Sequence, residues 1–189
     1  MLLKAATSPL WIEAVLRDFD SFLRDHASCE RKASGSAMNL VSHYPDRPDL
    51  VKAMIDLALE ELEHFARVYA HLAARGVTLG PDRKDPYVAR LSQSYRKGPQ
   101  EYFLDRLLVG AILEARGCER FGLVASALPE GPLKDFYRDI ARSEVRHQGL
   151  YQDLARRYFD EGVVETRLED LLEAEARIIR DLPSRAALH

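Results

Sequence analysis

LALEELEHF, residues 57 to 65, sets three glutamates and a histidine inside an apolar pattern of helical spacing. Glutamate forms helices well and exposed helix faces are usually charged, so a solvated face is the ordinary reading of such a run. A metal site is the alternative. Residues three apart share a helix face, so Glu61 and His64 can turn a carboxylate oxygen and an imidazole nitrogen toward one point. The same spacing returns in RSEVRHQGL, residues 142 to 150, where Glu144 and His147 fall on the stripe Phe136, Ile140, Tyr151 and Leu154. Two Glu-x-x-His pairs on two apolar faces point to chemistry rather than to solvation.

A dinuclear carboxylate bundle needs one further inward glutamate from each of two other helices. Glu30 lies on the apolar stripe of an earlier block, and Glu114 lies between Gly110, Ala111 and Cys118 of a later one. Glu30 to Glu61 is 31 residues and Glu114 to Glu144 is 30, while Glu30 to Glu114 is 84 and each Glu-x-x-His member is shifted by 83. The chain reads as two copies of one metal-binding hairpin. Antiparallel helices bring residues to equal height when these are equally far from the turn, and the midpoints fall at Pro45 and Asp46 and at Pro129. Four carboxylates balance two divalent ions and relieve the cost of burying anions. The repeated tripeptide Cys-Glu-Arg, at Cys29 and at Cys118, nominates Glu119 as a rival to Glu114. Its separation of 25 from Glu144 fits the hairpin less well, which leaves it as a second-sphere or substrate-side candidate.

Proline and glycine punctuation divides the chain into five helical blocks, and sustained strand-like alternation is absent. The first follows Ser8 and Pro9 and carries a stripe through Leu16, Phe19, Leu23, Ala27, Ala33, Ala37 and Val41. The others are expected at about 49–75, 100–128, 133–159 and 165–181, with a crossover at 76–99 that holds a short helix after Pro86. Four long helices with short first and last connections and one long middle connection form an all-α, ferritin-like four-helix bundle with an extra C-terminal helix. At 189 residues, 47% hydrophobic and 30% charged, residues 1–189 make one domain able to bury a core without disulfides.

The two cysteines form no CxxC pair, which argues against a rubredoxin-type iron centre and sets a reducing cytoplasm as the expected location. No segment approaches the roughly 18 apolar residues of a membrane span. A formal net charge of −3 leaves any nucleic-acid contact to a local patch. Oxygen and nitrogen donors with open positions suit iron or manganese, and at iron they suit dioxygen. Among neighbours of the six ligands, Glu60 is placed to orient one of them and Tyr151 is either a redox neighbour or core. His26 and His71 fall one and two turns away, as surface or second-sphere groups.

DHASCERKA (25–33), LEELEHF (59–65), GAILEARGCERF (110–121) and SEVRHQGLY (143–151) together resemble the MiaE family of tRNA hydroxylases, and Trp11 extends the resemblance toward the start. The resemblance implies a non-haem di-iron monooxygenase that hydroxylates the isopentenyl group of 2-methylthio-isopentenyladenosine beside the anticodon. It implies Glu30, Glu61, His64, Glu114, Glu144 and His147 as ligands of two iron ions, with dioxygen as co-substrate. It also implies a separate reductase or ferredoxin-type electron donor. Phe65, Phe121 and Phe136 would seat the prenyl group. The tRNA would meet the crossover, where Arg83, Lys84, Arg90, Arg96 and Lys97 interleave with Tyr87 and Tyr95. A peroxidase, a manganese catalase or an iron-storing ferroxidase would use the same ligands. Storage needs a large shell, against the monomer or small homo-oligomer expected here.

Overall fold

The computed structural model describes residues 3–189, and among them it contains seven helices and no strand. The helices are α1 (Pro9–Arg17), α2 (Phe19–His43), α3 (Pro48–Ala74), α4 (Pro86–Ser92), α5 (Pro99–Ala127), α6 (Pro132–Tyr158) and α7 (Glu161–Asp181). Pro48, Pro86, Pro99 and Pro132 each stand in the first turn of a helix, where the missing N–H leaves no bond unmade. α3 ends in a Schellman turn. Gly76, at φ +68°, donates its N–H to Ala73 O, and Val77 donates to Leu72 O, both at 3.0 Å.

The first block is two helices rather than one. Asp18 interrupts it by leaving the helical backbone and accepting a hydrogen bond from Ser21 N–H at 3.1 Å, so it caps α2 instead of continuing α1. The break turns the apolar face. Val15 and Phe22 are fully buried, whereas Leu16, expected inside, is 47% exposed. The last helix also begins four residues earlier than expected, at Glu161.

Two compact units emerge, one from residues 13–83 and 185–188, the other from the described residues up to Ile12 together with 84–184 and His189. In the 13–83 unit, α2 and α3 form a hairpin joined by residues 44–47. Its core is Phe22, Leu23, Ala27, Ala37, Leu40, Leu50, Met54, Leu57, Val68 and Leu72. The first part of the crossover is bound along α2. Arg24 Nε donates to Thr78 O at 2.8 Å, Ser28 and Arg31 both donate to Asp82, and Lys32 donates to Arg83 O. Leu188 N–H donates to Asp25 at 2.7 Å, which fixes the tail to the same helix.

In the 84–184 unit, α5 and α6 form the second hairpin through residues 128–131, and α7 packs on α4, α5 and α6. Asp85 caps α4 by accepting from Tyr87 N–H and Val88 N–H. Gly110 allows the closest approach in this hairpin, since a Cβ there would lie 2.8 Å from the Tyr151 ring. Asp105 is fully buried and accepts from Arg96 Nη2 at 2.7 Å and from Arg167 Nε at 2.8 Å, tying the end of the crossover to α5 and α7.

Two changes test this packing. Asp105→Ala leaves two guanidinium groups without their buried acceptor, and a loss of roughly 2–3 kcal/mol is expected, read as a lower midpoint in urea. Gly110→Ala forces Tyr151 off α5 and should cost about 1–3 kcal/mol by the same measurement.

Candidate metal centre

Equal distance from the turn decides which residues meet within each hairpin. In the 13–83 unit, Glu30 on α2 and Glu61 and His64 on α3 are all buried, and one donor atom from each lies within 4.8 Å of the others. His64 Nδ1 is 3.3 Å from Glu61 Oε2 and 3.8 Å from Glu30 Oε2, while its Nε2 faces Glu60 at 3.9 Å. The ring therefore presents Nδ1 to two carboxylates and its other nitrogen to a third. Burial alone would lower the His64 pKa, but the hydrogen-bonded carboxylates of Glu30 and Glu61 outweigh it and push it up to about 10. The position favours positive charge.

His26 carries a contact that sequence spacing alone did not assign. It is completely buried on α2, and its Nε2 lies 2.5 Å from Glu30 Oε1. The signal was present, because residues 26 and 30 are one helical turn apart, but an i,i+4 spacing does not tell an inward histidine from a surface one. His71, by contrast, is half-buried, and burial followed by the nearby Arg67 lowers its pKa.

In the 84–184 unit, α5 supplies Glu114 and α6 supplies Glu144 and His147. Glu144 and His147 are buried, with His147 Nδ1 3.8 Å from Glu144 Oε2. A carboxylate oxygen of Glu114 and a ring nitrogen of His147 lie within 4.8 Å of each other. Gly117, one turn beyond Glu114, leaves α5 open beside Glu144, where a Cβ would stand 3.7 Å from Oε2. Tyr151 is core, packed against Gly110.

Glu119 belongs to a different cluster of the same unit. It accepts from Thr7 N–H at 2.9 Å and Thr7 Oγ1 at 2.6 Å, and it pairs with Arg116. Arg116 is fully buried and donates from Nε and Nη2 to Glu175 Oε1, at 2.9 and 2.7 Å, and from Nη2 to Ala5 O. Tyr87 O–H donates to the same Glu175 oxygen at 3.0 Å, and Arg120 lies 4.9 Å over the Trp11 ring. Burial, and next the Arg116 charge, lower the Arg120 pKa to about 10. Two guanidinium groups and two carboxylates neutralise each other here without a metal. Glu119 is thereby engaged away from Glu144 and His147, and Glu114 is the α5 residue placed beside a histidine.

The other candidates divide in the same way. Tyr87 is fully buried with its hydroxyl on Glu175, so its ring is not offered to a base, while Arg96 pairs with buried Asp105 and keeps its side chain 38% exposed. Tyr95 is half-buried against the edge of Tyr102. Arg83, Lys84, Arg90 and Lys97 are exposed. Phe121 and Phe136 are buried and pack on Tyr137, at 5.8 and 5.0 Å between ring centres. Phe65 is half-buried and lines a groove of about 430 Å³ with Arg24, Arg31, Arg83 and Arg185. Burial, then the Glu144 charge, raise the Cys118 pKa, so this thiol is not a ready thiolate ligand.

The donor chemistry fits a pair of iron or manganese ions: carboxylate oxygens and imidazole nitrogens, buried except at half-buried Glu114, with cation-favouring electrostatics at His64. The family model for tRNA-(MS[2]IO[6]A)-hydroxylase (MiaE) matches residues 1–189. A Pseudomonas putida tRNA 2-(methylsulfanyl)-N(6)-isopentenyladenosine(37) hydroxylase is 37% identical over 183 residues, covering 97% of this chain and 89% of its own. A Salmonella typhimurium protein of the same name is 33% identical over 163 residues, covering 82% of this chain and 56% of its own. Among solved structures, a Synechococcus protein described as having aldehyde deformylating oxygenase activity superposes with a TM-score of 0.95 at 38% identity, over 100% of this chain and 96% of that one. That similarity extends the ferritin-like bundle to the whole chain.

The raised His64 pKa has a measurable sign. The protonated ring stabilises metal-free protein fully below the unfolded value near 6.5, and that contribution is lost as pH rises through about 10. Metal-free protein should lose stability across that window in urea titrations, and His64→Gln should flatten the slope; an unchanged slope would contradict the assignment.

Proposed function

This chain belongs to the tRNA-(MS[2]IO[6]A)-hydroxylase (MiaE) family, and from that premise we propose that it hydroxylates the isopentenyl group of 2-methylthio-isopentenyladenosine in tRNA. Residues 1–189 act as a single di-iron domain in this reading. Glu30, Glu61 and His64 from one hairpin and Glu114, Glu144 and His147 from the other are the ligands. The observation that carries the proposal is the pair of carboxylate–histidine sets, one in each hairpin, buried except for half-buried Glu114. Among the described residues no helix is long and apolar enough to cross a membrane, and action on tRNA would place the protein in the cytoplasm.

Two iron ions, when bound, supply the dioxygen chemistry that places an oxygen atom in an allylic C–H bond, with electrons from a separate donor. The protein's residues have other tasks. His64 Nδ1 faces the Glu30 and Glu61 oxygens, so this nitrogen is the ligand atom, and Glu60 stands 3.9 Å from Nε2 on the other side of the ring. His26 holds Glu30 Oε1 and leaves Oε2 to turn inward. Phe121 and Phe136, buried around Tyr137, exclude water from the α5–α6 side. On the α2 side, Arg24, Arg31, Arg83, Arg185 and Phe65 line a groove together with Asp18, Asp25 and Asp82, and cations beside an aromatic face are the groups that hold phosphates and stack bases, with Arg31 already paired to Asp82.

A second reading rests on the Synechococcus structure, whose description names aldehyde deformylation. Its substrate would be a long aldehyde rather than RNA. One experiment separates the two. Reduced, iron-loaded protein is given dioxygen with either isopentenyl-bearing tRNA or an alkyl aldehyde, and the products are read by mass spectrometry. Nucleosides heavier by one oxygen atom are expected; iron that reoxidises while the nucleosides stay unchanged would end the hydroxylase reading. Glu61→Ala and Glu144→Ala should each bind fewer than two irons and lose activity, roughly a hundredfold or more. Iron loading near pH 7 should release a proton from His64, visible with an indicator in weak buffer.

A further inference from the structure

We propose that a basic groove between α5 and α6 holds the sugar–phosphate backbone of the tRNA; this rests on the hydroxylase reading above. α6 carries Lys134, Arg138, Arg142 and Arg146 at steps of four, one ridge whose cations rise by about 6 Å per step. The inner face of the same helix, with Phe136, Ile140, Glu144 and His147, is buried. The ridge therefore runs along the flank of a helix whose rotation is already fixed by its core.

Beside the ridge lies an open groove of about 580 Å³. Lys134, Arg138 and Arg142 form its wall, and Gly122, Ala125, Ser126 and Ala141 form its floor. These small side chains keep the floor low, and the Ser126 hydroxyl is turned onto its own helix, donating to Gly122 O at 2.8 Å. Only cations project over the floor. Among the described residues no acid and no aromatic ring lines this groove, whereas Asp18, Asp25 and Asp82 line the one beside α2.

The cations have partners in the free protein. Lys134 lies 2.8 Å from Glu130, Arg138 lies 3.4 Å from Glu130 and 3.2 Å from Asp135, and Arg142 lies 2.7 Å from Asp139. The side chains of these acids are 50–76% exposed, and none of them reaches the groove. Exposed pairs of this kind contribute little, so a guanidinium exchanges its carboxylate for a phosphate at small cost and gains a bidentate acceptor. A nucleic-acid strand carries an anion at every nucleotide and can meet successive cations of the ridge. Without an aromatic ring the groove stacks no base, so the contact is to backbone and positions the RNA without reading its sequence. An acidic protein fits less well, because its carboxylates stand on separate side chains that must each be ordered on docking.

The test is fluorescence anisotropy of labelled, isopentenyl-bearing tRNA with the full, iron-loaded chain between about 50 and 200 mM salt. Arg138→Gln/Arg142→Gln should bind roughly tenfold more weakly, and the slope of log affinity against log salt should flatten by about 1.5, the share of two phosphates. Glu130→Gln/Asp139→Asn removes competing acids and should bind about threefold more tightly, a gain that damage to the fold does not produce. Both variants should keep their helicity and iron. If the double arginine change unfolds the protein, Arg142→Gln alone should flatten the slope by about 0.8. Affinity and slope that stay unchanged in the arginine and acid variants alike overturn the proposal. So does unchanged tRNA binding with slower reduction of the iron by an acidic reductase, which would give the groove to the electron donor. Absence of tRNA binding by the unaltered chain at low salt would overturn the hydroxylase reading as well.

Discussion

A carboxylate taken out of water costs several kcal/mol unless a positive group meets it, and this chain takes several out at once. Glu30, Glu61, Glu144, Asp105 and Glu175 are all buried. For Asp105 the compensation comes from Arg96 and Arg167, and for Glu175 from Arg116 and the Tyr87 hydroxyl. The groups approaching Glu30 and Glu61 are imidazoles, His26 and His64. The same requirement thus has two solutions in one molecule, a permanent guanidinium where the carboxylate is architectural and a titratable imidazole at the candidate metal ligands.

This difference explains the behaviour of α5. Glu114 and Glu119 are five residues apart on one helix. Glu119 is captured by Thr7 and Arg116, in a cluster whose charges cancel, and that cluster fastens the segment before α1, α4 and α7 onto α5. Glu114 stands on the side of α5 that meets His147. A self-neutral cluster placed this close to a proposed ligand fixes the rotation of α5 without competing for a cation.

α3 shows a similar economy of surface. Leu57, Leu59 and Leu62 are chemically alike and close in sequence, yet Leu57 is inside the hairpin while Leu59 and Leu62 face outward. The glutamates between them divide too: Glu61 is inside, Glu60 is beside His64 and Glu63 is exposed. Of these two apolar faces, α2 covers the inner one.

The sequence by itself determined the helical class, the two hairpins and the depth at which each Glu-x-x-His pair sits, because helical period and distance from a turn are one-dimensional quantities. It reached the six ligand candidates for the same reason. It misjudged the first helix because a capping aspartate inside an apolar pattern looks like any surface acid until its side chain is seen to accept from Ser21. Tertiary structure alone decided that His26 reaches Glu30, that Glu119 belongs to Arg116 and Thr7, that Tyr87 is buried on Glu175, and that Arg96 pairs with Asp105. Those outcomes depend on partners 3 to 112 residues away, and spacing along one helix carries no information about which distant segment brings the neutralising group.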